Sequence, residues 1–201
     1  MPAPKKLTHG IAHPTSEKGV VLVITLILIV VLSLLGTFAI RNANQTERVV
    51  NGVRTSQVAQ EAAETALRFC EQIVHFSDAG KDYTEYGTTN LKEKVILTNI
   101  TSEQDTNAEW RTASNWIGNN VIDVPDAYVN KYKNASVDPD ASPLAIAPKC
   151  LIQRIRSSST PPLVGYLITA RGFANNANYD TSTGKTTNGA EAWMQSILIK
   201  S

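Results

Sequence analysis

The residues with the chemistry to catalyse a reaction or to hold a metal are few in this chain of 201 residues. It has three histidines and two cysteines, and two of the histidines, His9 and His13, lie close to the N-terminus. Two cysteines cannot form a four-cysteine zinc site or the framework of a disulfide-rich miniprotein. The sequence contains no G-x-S-x-G, H-E-x-x-H or P-loop pattern. We therefore expect no catalytic residue, no metal site and no cofactor, and we expect that the protein is not an enzyme.

The remaining candidates for ligand binding are explained as well by folding as by function. Four aspartates lie near prolines in the middle region: Asp123, Asp126, Asp138 and Asp140. They lack the spacing of an EF-hand, so they predict polar turns rather than a calcium site. The only histidine beyond the N-terminal region, His75, is expected to end a helix. The three tryptophans, Trp110, Trp116 and Trp193, are expected to pack in the core.

The charge balance gives no sign of a strongly charged partner. Lysine and arginine total 19, aspartate and glutamate total 18, and the formal net charge is +1. A nucleic-acid-binding protein carries a basic patch that this balance does not provide. We therefore predict no nucleic-acid partner.

A long apolar run near the N-terminus must position everything that follows it. Val20–Ile40 reads VVLVITLILIVVLSLLGTFAI and has no charge between Lys18 and Arg41. As a helix it would be about 31 Å long, which matches the hydrocarbon core of a bilayer. Its 16 Leu, Ile, Val and Phe residues favour insertion by roughly 5–10 kcal/mol. No A-x-A cleavage site follows the run, so we predict a retained transmembrane helix rather than a secretory signal.

Beyond Arg41 the pattern changes from apolar on all sides to apolar on one side. The residues that share one helical face are Ala59, Ala62, Ala66, Phe69, Ile73 and Phe76. Glu64 and Arg68 form a favourable i,i+4 pair away from that face. The sequence therefore predicts an amphipathic helix over 41–76 that ends within Ser77–Gly80 and needs a surface to pack on.

That surface is predicted from β-rich runs near the C-terminus. Alternating patterns indicate strands at 149–155, 163–171 and 192–200, with shorter candidates at 95–100 and 120–124. Strands that follow one long helix predict an α+β fold, with an antiparallel sheet packed on the amphipathic half of the helix. The region 80–148 is polar and loop-like, and the polar loop 173–189 is expected to be a mobile, solvated tip.

The N-terminal features together resemble a type IV prepilin. Glu17-Lys18-Gly19 precedes the apolar helix, and prepilin peptidase cuts such leaders after a glycine. The resemblance implies cleavage after Gly19 and N-methylation of Val20. It also implies a cytoplasmic leader at 1–19, a segment at 20–40 that spans the bacterial inner membrane or forms the filament core, the amphipathic half at 41–76, and a periplasmic domain at 77–201.

One position departs from the usual pilin pattern. Most pilins carry a glutamate five places into the mature chain, where this sequence has Ile24. A carboxylate in hydrocarbon requires a charged partner, which in pilins is the proposed N-terminal amine of a neighbouring subunit. Minor pilins of the PilX type and the K-type pseudopilin of type II secretion also lack this glutamate, and both are thought to lie at or near a filament tip.

Further motifs resemble the PilX family. They are Gln45–Arg48 (QTER) with Asn51-Gly52, Gln60–Arg68 (QEAAETALR), Tyr166–Gly172 (YLITARG) and Met194–Ser196 (MQS). The resemblance implies a structural minor pilin that primes assembly of a type IV pilus and lies at or near its tip. Its partners would be other minor pilins, the major pilin and prepilin peptidase, and its processes twitching motility and adhesion. The alternatives are a K-type pseudopilin and an unprocessed single-pass membrane protein.

The periplasmic location that the resemblance implies bears on the two cysteines. Cys70 lies near the end of the predicted helix, and Cys150 lies at the start of a predicted strand. Because a periplasmic domain meets oxidising conditions, we expect a disulfide between them rather than two free thiols. Closing an 80-residue loop would stabilise the fold by roughly 4 kcal/mol on the loop-entropy model.

Overall fold

A computed structural model describes residues 18–78, 80–129 and 144–199. The chain divides into two compact units, with the boundary between Val49 and Val50. Two helices and seven strands are assigned: α1 (Lys18–Asp78), β1 (Ile96–Ile100), β2 (Ile122–Asp123), α2 (Asp126–Val129), β3 (Lys149–Arg156), β4 (Val164–Phe173), β5 (Asn178–Asp180), β6 (Lys185–Asn188) and β7 (Glu191–Ile199). Single 3₁₀ turns occur at Glu85–Gly87, Leu91–Lys94, Glu109–Arg111 and Ala113–Trp116.

The helix α1 ends two residues beyond the predicted Phe76. It contains no proline, so no backbone N–H is missing from its hydrogen-bonded ladder. At its C-terminal end, the amide of Lys81 donates to the carbonyl of Phe76, and the amide of Gly80 donates to the carbonyl of Ser77. Gly80 has φ of 76°. A glycine in this left-handed conformation is the common way to end a helix.

The main sheet has the order β1-β3-β4-β7, and β2 also pairs with β3. The three long strands are antiparallel, as predicted, with Cys150 opposite Ala170 and Ala170 opposite Met194. The strand β1 differs, because it runs parallel to β3. Parallel neighbours need a long crossover rather than a hairpin, and the long polar region after β1 provides one. The sheet is therefore mixed rather than wholly antiparallel.

The predicted apolar stripe of α1 packs on one face of this sheet. Its buried members are Ala59, Ala62, Ala63, Ala66, Phe69, Cys70, Ile73 and Val74, each at most 4 % exposed. Ala66, Phe69, Cys70 and Ile73 share a core with Cys150, Ile152, Ile168 and Ala170 of β3 and β4. Because the first four of these helical residues are alanines, the helix backbone can approach the sheet closely.

The closest approach occurs at Gly172 in β4. A Cβ atom placed on Gly172 would lie 2.1 Å from the carbonyl oxygen of Ala59 and 2.1 Å from the amide nitrogen of Ala63. Both are backbone atoms, which cannot turn aside as a flexible side chain would. The last residue of the YLITARG motif therefore has to be glycine for the helix and the strand to make this contact.

The opposite face of β4 is also covered. Leu167, Thr169, Arg171 and Phe173 are each at most 2 % exposed. The segment around Trp110 and Trp116 packs over this face together with the hairpin described next. The strand β4 is therefore buried on both faces, although Thr169 and Arg171 on the second face are polar.

The polar loop predicted at 173–189 contains a two-stranded sheet of β5 and β6. The expectation of a solvated tip is wrong for its centre, because Gly184 is buried with φ of 71° and a Cβ there would lie 2.1 Å from the carbonyl oxygen of Ala113. The hydroxyl of Tyr179 donates to the carbonyl of Trp116 over 2.8 Å. Short strands rich in Asn, Thr and Asp give little apolar signal, so the hairpin is not visible in the sequence pattern.

We expect that Gly172→Ala destabilises the fold by about 1–3 kcal/mol, because its methyl group would overlap two backbone groups of α1. Urea unfolding of the full chain in detergent micelles, followed by tryptophan fluorescence, measures this change. Gly118→Ala is the matched control, since the atom nearest to a Cβ at Gly118 is 3.6 Å away, an ordinary contact. Equal unfolding free energies for the two variants would contradict the close packing at Gly172.

Candidate functional site

The most exposed apolar surface of the described chain is the N-terminal half of α1. All the large apolar side chains between Val20 and Ile40 are 45–67 % exposed. The most apolar 18-residue window of α1 has a mean hydropathy of 3.1, and none of it is buried inside the protein. By length and composition this helix can cross a membrane. An apolar surface of this size requires lipid or another protein to cover it.

The few polar side chains in this segment are satisfied within the helix. The hydroxyl of Thr25 donates to the carbonyl of Leu22, that of Ser33 to Ile29, and that of Thr37 to Ser33, over 2.7–2.9 Å. Such bonds remove the cost of placing a hydroxyl in an apolar environment. The segment is therefore compatible with hydrocarbon on every side.

The residues expected at the processing site lie at the beginning of this helix. Gly19 and Val20 are in its first turn, and the preceding residues 1–17 lie outside the described part of the chain. Ile24 is 51 % exposed among other apolar side chains. No acidic residue occurs in α1 before Glu47. This half of the helix therefore offers no carboxylate to an amine of a neighbouring chain.

The C-terminal half of α1 is joined covalently to the sheet. Cys70 and Cys150 form a disulfide, and their Cα atoms are 6.6 Å apart. Both residues are fully buried, next to the alanines that contact β4. The bond therefore fixes the helix to β3 in the middle of the core.

The acidic side chains in the loops stabilise turns. Asp82 accepts hydrogen bonds from the amides of Lys92 and Asn90, and these bonds lower the pKa of its carboxyl group. Asp105 has a lowered pKa because the amides of Asn107 and Thr101 donate to it. Hydroxyl donors on Ser182 and Thr183 lower the pKa of Asp180 to about 2.

The prediction of polar turns is wrong for two of the four middle aspartates, because Asp123 and Asp126 lie in β2 and α2. Asp123 forms an ion pair with Lys149 across the β2–β3 pair, and Asp126 begins α2. Asp138 and Asp140 lie outside the described residues. Among the residues that the structure describes, no group of three or more His, Cys, Asp or Glu side chains could hold a metal ion.

Arg171 of β4 is a buried charge that the sequence pattern does not predict. Its Nε donates to Oε1 of Glu191 over 2.5 Å, and its Nη1 donates to the carbonyl of Gly184 over 2.8 Å. Its guanidinium carbon lies 4.7 Å from the ring centre of Trp116 and 4.4 Å from that of Trp193. Arginine is rarely buried without partners. A lone arginine inside an apolar strand is therefore the sequence signal that could have indicated a buried, paired charge. Through these contacts Arg171 links the β5–β6 hairpin and β7 to β4.

The tryptophan prediction holds for Trp116, which is 1 % exposed, but not for Trp193, which is 45 % exposed. Trp193 is on the strand β7, which pairs with β4 and with no other described strand. An edge strand has fewer neighbours to cover its side chains. Its exposure is therefore a property of sheet order, which the sequence pattern does not contain.

A long helix, apolar in its first half and packed on a mixed sheet in its second, is the α+β layout of a pilin. The exposed apolar half fits a protein anchored in the inner membrane.

Comparison with known families agrees with this class. Residues 18–68 match the family model described as PilX N-terminal. The match covers most of α1 and none of the sheet. No curated protein and no solved structure gives a significant match.

We expect that the double variant Cys70→Ala and Cys150→Ala loses roughly 4 kcal/mol of stability, because the bond closes a long loop in the unfolded chain. Unfolding free energies in urea, measured under oxidising conditions, give the difference. Wild-type protein treated with a reductant is the control, and it should approach the double variant. If reduction leaves the wild-type unfolding curve unchanged, the bridge does not stabilise the fold.

Proposed function

We propose that this chain is a minor pilin that primes the assembly of a type IV pilus and then lies at or near its tip, without catalysing a reaction. The main support is that the PilX match at 18–68 coincides with the helix whose apolar half has no partner within the described chain. Other minor pilins and the major pilin would be its partners, and twitching motility and adhesion the processes that depend on the pilus.

The mechanism would be an exchange of one apolar environment for another. In the inner membrane, lipid covers Val20–Ile40. During assembly, the same surface packs against the helices of neighbouring pilins in the filament core. Association of apolar helices in lipid is driven by close packing rather than by escape from water. A priming complex therefore depends on how well these helical surfaces fit one another.

Processing would come before assembly. Prepilin peptidase would cut after Gly19 and methylate Val20, which leaves the amine of Val20 at the cytoplasmic edge of the apolar helix. The orientation would be N-terminus in the cytoplasm and sheet domain in the periplasm, where the Cys70–Cys150 bond can form.

Ile24 supports a position at the tip. A subunit inside a filament would use a carboxylate at this position to pair with the amine of the subunit ahead of it. A subunit with no neighbour ahead has no such amine, and an unpaired carboxylate inside the bilayer is costly, by up to about 2.5–3.5 kcal/mol at the centre. An isoleucine at position 24 avoids that cost.

The K-type pseudopilin of type II secretion is the second candidate, because Ile24 also fits its pattern. It usually carries an inserted helical domain. Among the described residues, the longest helix after α1 is the four-residue α2. This favours the pilus assignment over the secretion assignment.

The first experiment is the intact mass and N-terminal sequence of the protein from bacterial membranes, with and without prepilin peptidase. We expect a chain that begins at methylated Val20 only when the peptidase is present. Gly19→Val should retain the leader, whereas Gly36→Val, another helix glycine with open space around it, should be processed normally. A leader retained in both strains would point to an ordinary single-pass membrane protein.

Replacing Ile24 with glutamate tests the tip position. We expect fewer pili per cell, because the new carboxylate can pair with an amine and draw the subunit into the filament body. Electron microscopy counts the pili, and crosslinking reports the contacts with other minor pilins. Ile24→Gln controls for polarity and Leu28→Glu for a carboxylate one turn away. Unchanged pilus number and contacts would remove the argument based on Ile24.

A further inference from the structure

A cavity of about 280 Å³ opens between the 110–116 segment, the β5–β6 hairpin and β7. Three tryptophans, Trp110, Trp116 and Trp193, line it. Trp193 lies 5.1 Å from Trp116 and 6.2 Å from Trp110 between ring centres, and both pairs are edge-to-face. The volume is near the lower end for small-ligand sites, so it suits a single ring of a larger ligand.

The floor of the cavity is rigid because Arg171 holds it together. This side chain is 2 % exposed and bonds to Glu191, to the carbonyl of Gly184 and, over 3.4 Å, to the hydroxyl of Thr186. Its guanidinium also lies against Trp116 and Trp193. The arginine therefore fixes in advance the positions of an indole and a carboxylate that both face the cavity.

The polar groups at the cavity are of two kinds. Glu191 uses Oε1 for Arg171, and among the described residues no donor reaches its Oε2. Arg111 and Lys185 line the same cavity and are exposed, so they are available to an anionic group. The site thus offers a carboxylate that can accept a hydrogen bond from a hydroxyl, two cations, and the exposed part of an indole ring.

This combination matches one class of ligand. A pyranose ring has an apolar C–H face that packs on an indole, and it has hydroxyls that donate to a carboxylate. A uronic acid adds a carboxylate that pairs with arginine or lysine. A DNA backbone fits less well, because its phosphodiesters and deoxyriboses carry no hydroxyl that could donate to Glu191.

We propose that this cavity binds an acidic saccharide, with Trp193 as the stacking platform, Glu191 as the hydroxyl acceptor, and Arg111 and Lys185 as the partners of the sugar carboxylate. The proposal does not depend on leader cleavage, priming or the tip position, since every group belongs to the folded domain.

The test uses the full chain in micelles of a zwitterionic detergent that has no sugar headgroup. The probes are oligogalacturonate, a neutral glucan oligosaccharide of the same length and a single-stranded oligonucleotide. Binding is followed by tryptophan fluorescence and by calorimetry. We expect saturable binding of oligogalacturonate that weakens with added salt, and affinity for the neutral glucan that is about tenfold lower.

Variants locate the binding. Trp193→Ala should weaken oligogalacturonate binding about tenfold or more, and the double variant Arg111→Ala and Lys185→Ala should remove the preference over the neutral glucan. Arg156→Ala and Leu97→Ala are controls for the loss of a cation and of an exposed apolar side chain away from the cavity. Arg156 lies at the far end of β3 from Lys149, which pairs with Arg171. Leu97 is an exposed residue of β1.

An unfolding curve for each variant separates a loss of binding from a loss of folding. Three results would overturn the proposal: no saccharide binding, binding that the control variants weaken as much as Trp193→Ala does, or an oligonucleotide affinity equal to that of oligogalacturonate.

Discussion

The backbone of α1 rests directly on the backbone of β4, and this contact determines the rest of the domain. Main chain can approach main chain this closely only where side chains are absent or very small. Gly172 supplies the strand side of the contact, and the alanines from Ala59 to Ala66 supply the helix side. The close approach places Cys70 beside Cys150. It also leaves the larger residues, Phe69 and Ile73, to fill the wider space toward the end of the helix.

Helix α1 has two apolar surfaces, and they differ in what covers them. The surface near its C-terminal end is narrow, lined by small residues and covered by the sheet. The surface near its N-terminal end surrounds the helix and is covered by nothing in the described chain. A narrow stripe on an otherwise polar helix is the mark of packing within one chain, whereas apolar residues on all sides require an external partner. The division explains how one helix can pack within a folded domain at one end and still be apolar enough to cross a membrane at the other.

Much of this architecture could be predicted from the sequence, because helices and strands differ in the spacing of their apolar residues. The period of the apolar residues gave the helix and its buried face, and alternation gave the three long strands. The parallel direction of β1 could not be predicted, since five residues carry no signal of which way a strand runs beside its neighbour. The β5–β6 hairpin was missed because it is stabilised by polar contacts of Asp180 and Tyr179 rather than by an apolar pattern. The sequence places Arg171 in the YLITARG motif but does not show that its side chain is buried among aromatic rings and organises one face of the sheet.

The position of the disulfide has a mechanical consequence. In a filament of the kind proposed above, tension would pull on the domain through α1, and the force would have to reach the strands that follow. Because the bond joins Cys70 to Cys150, a covalent path leads from the helix into β3, and from there the load spreads through the hydrogen bonds of β3 with β4. The residues between the two cysteines, 71–149, are bypassed by this path. A pull along the helix therefore does not have to pass through β1 or the 110–116 segment to reach the sheet.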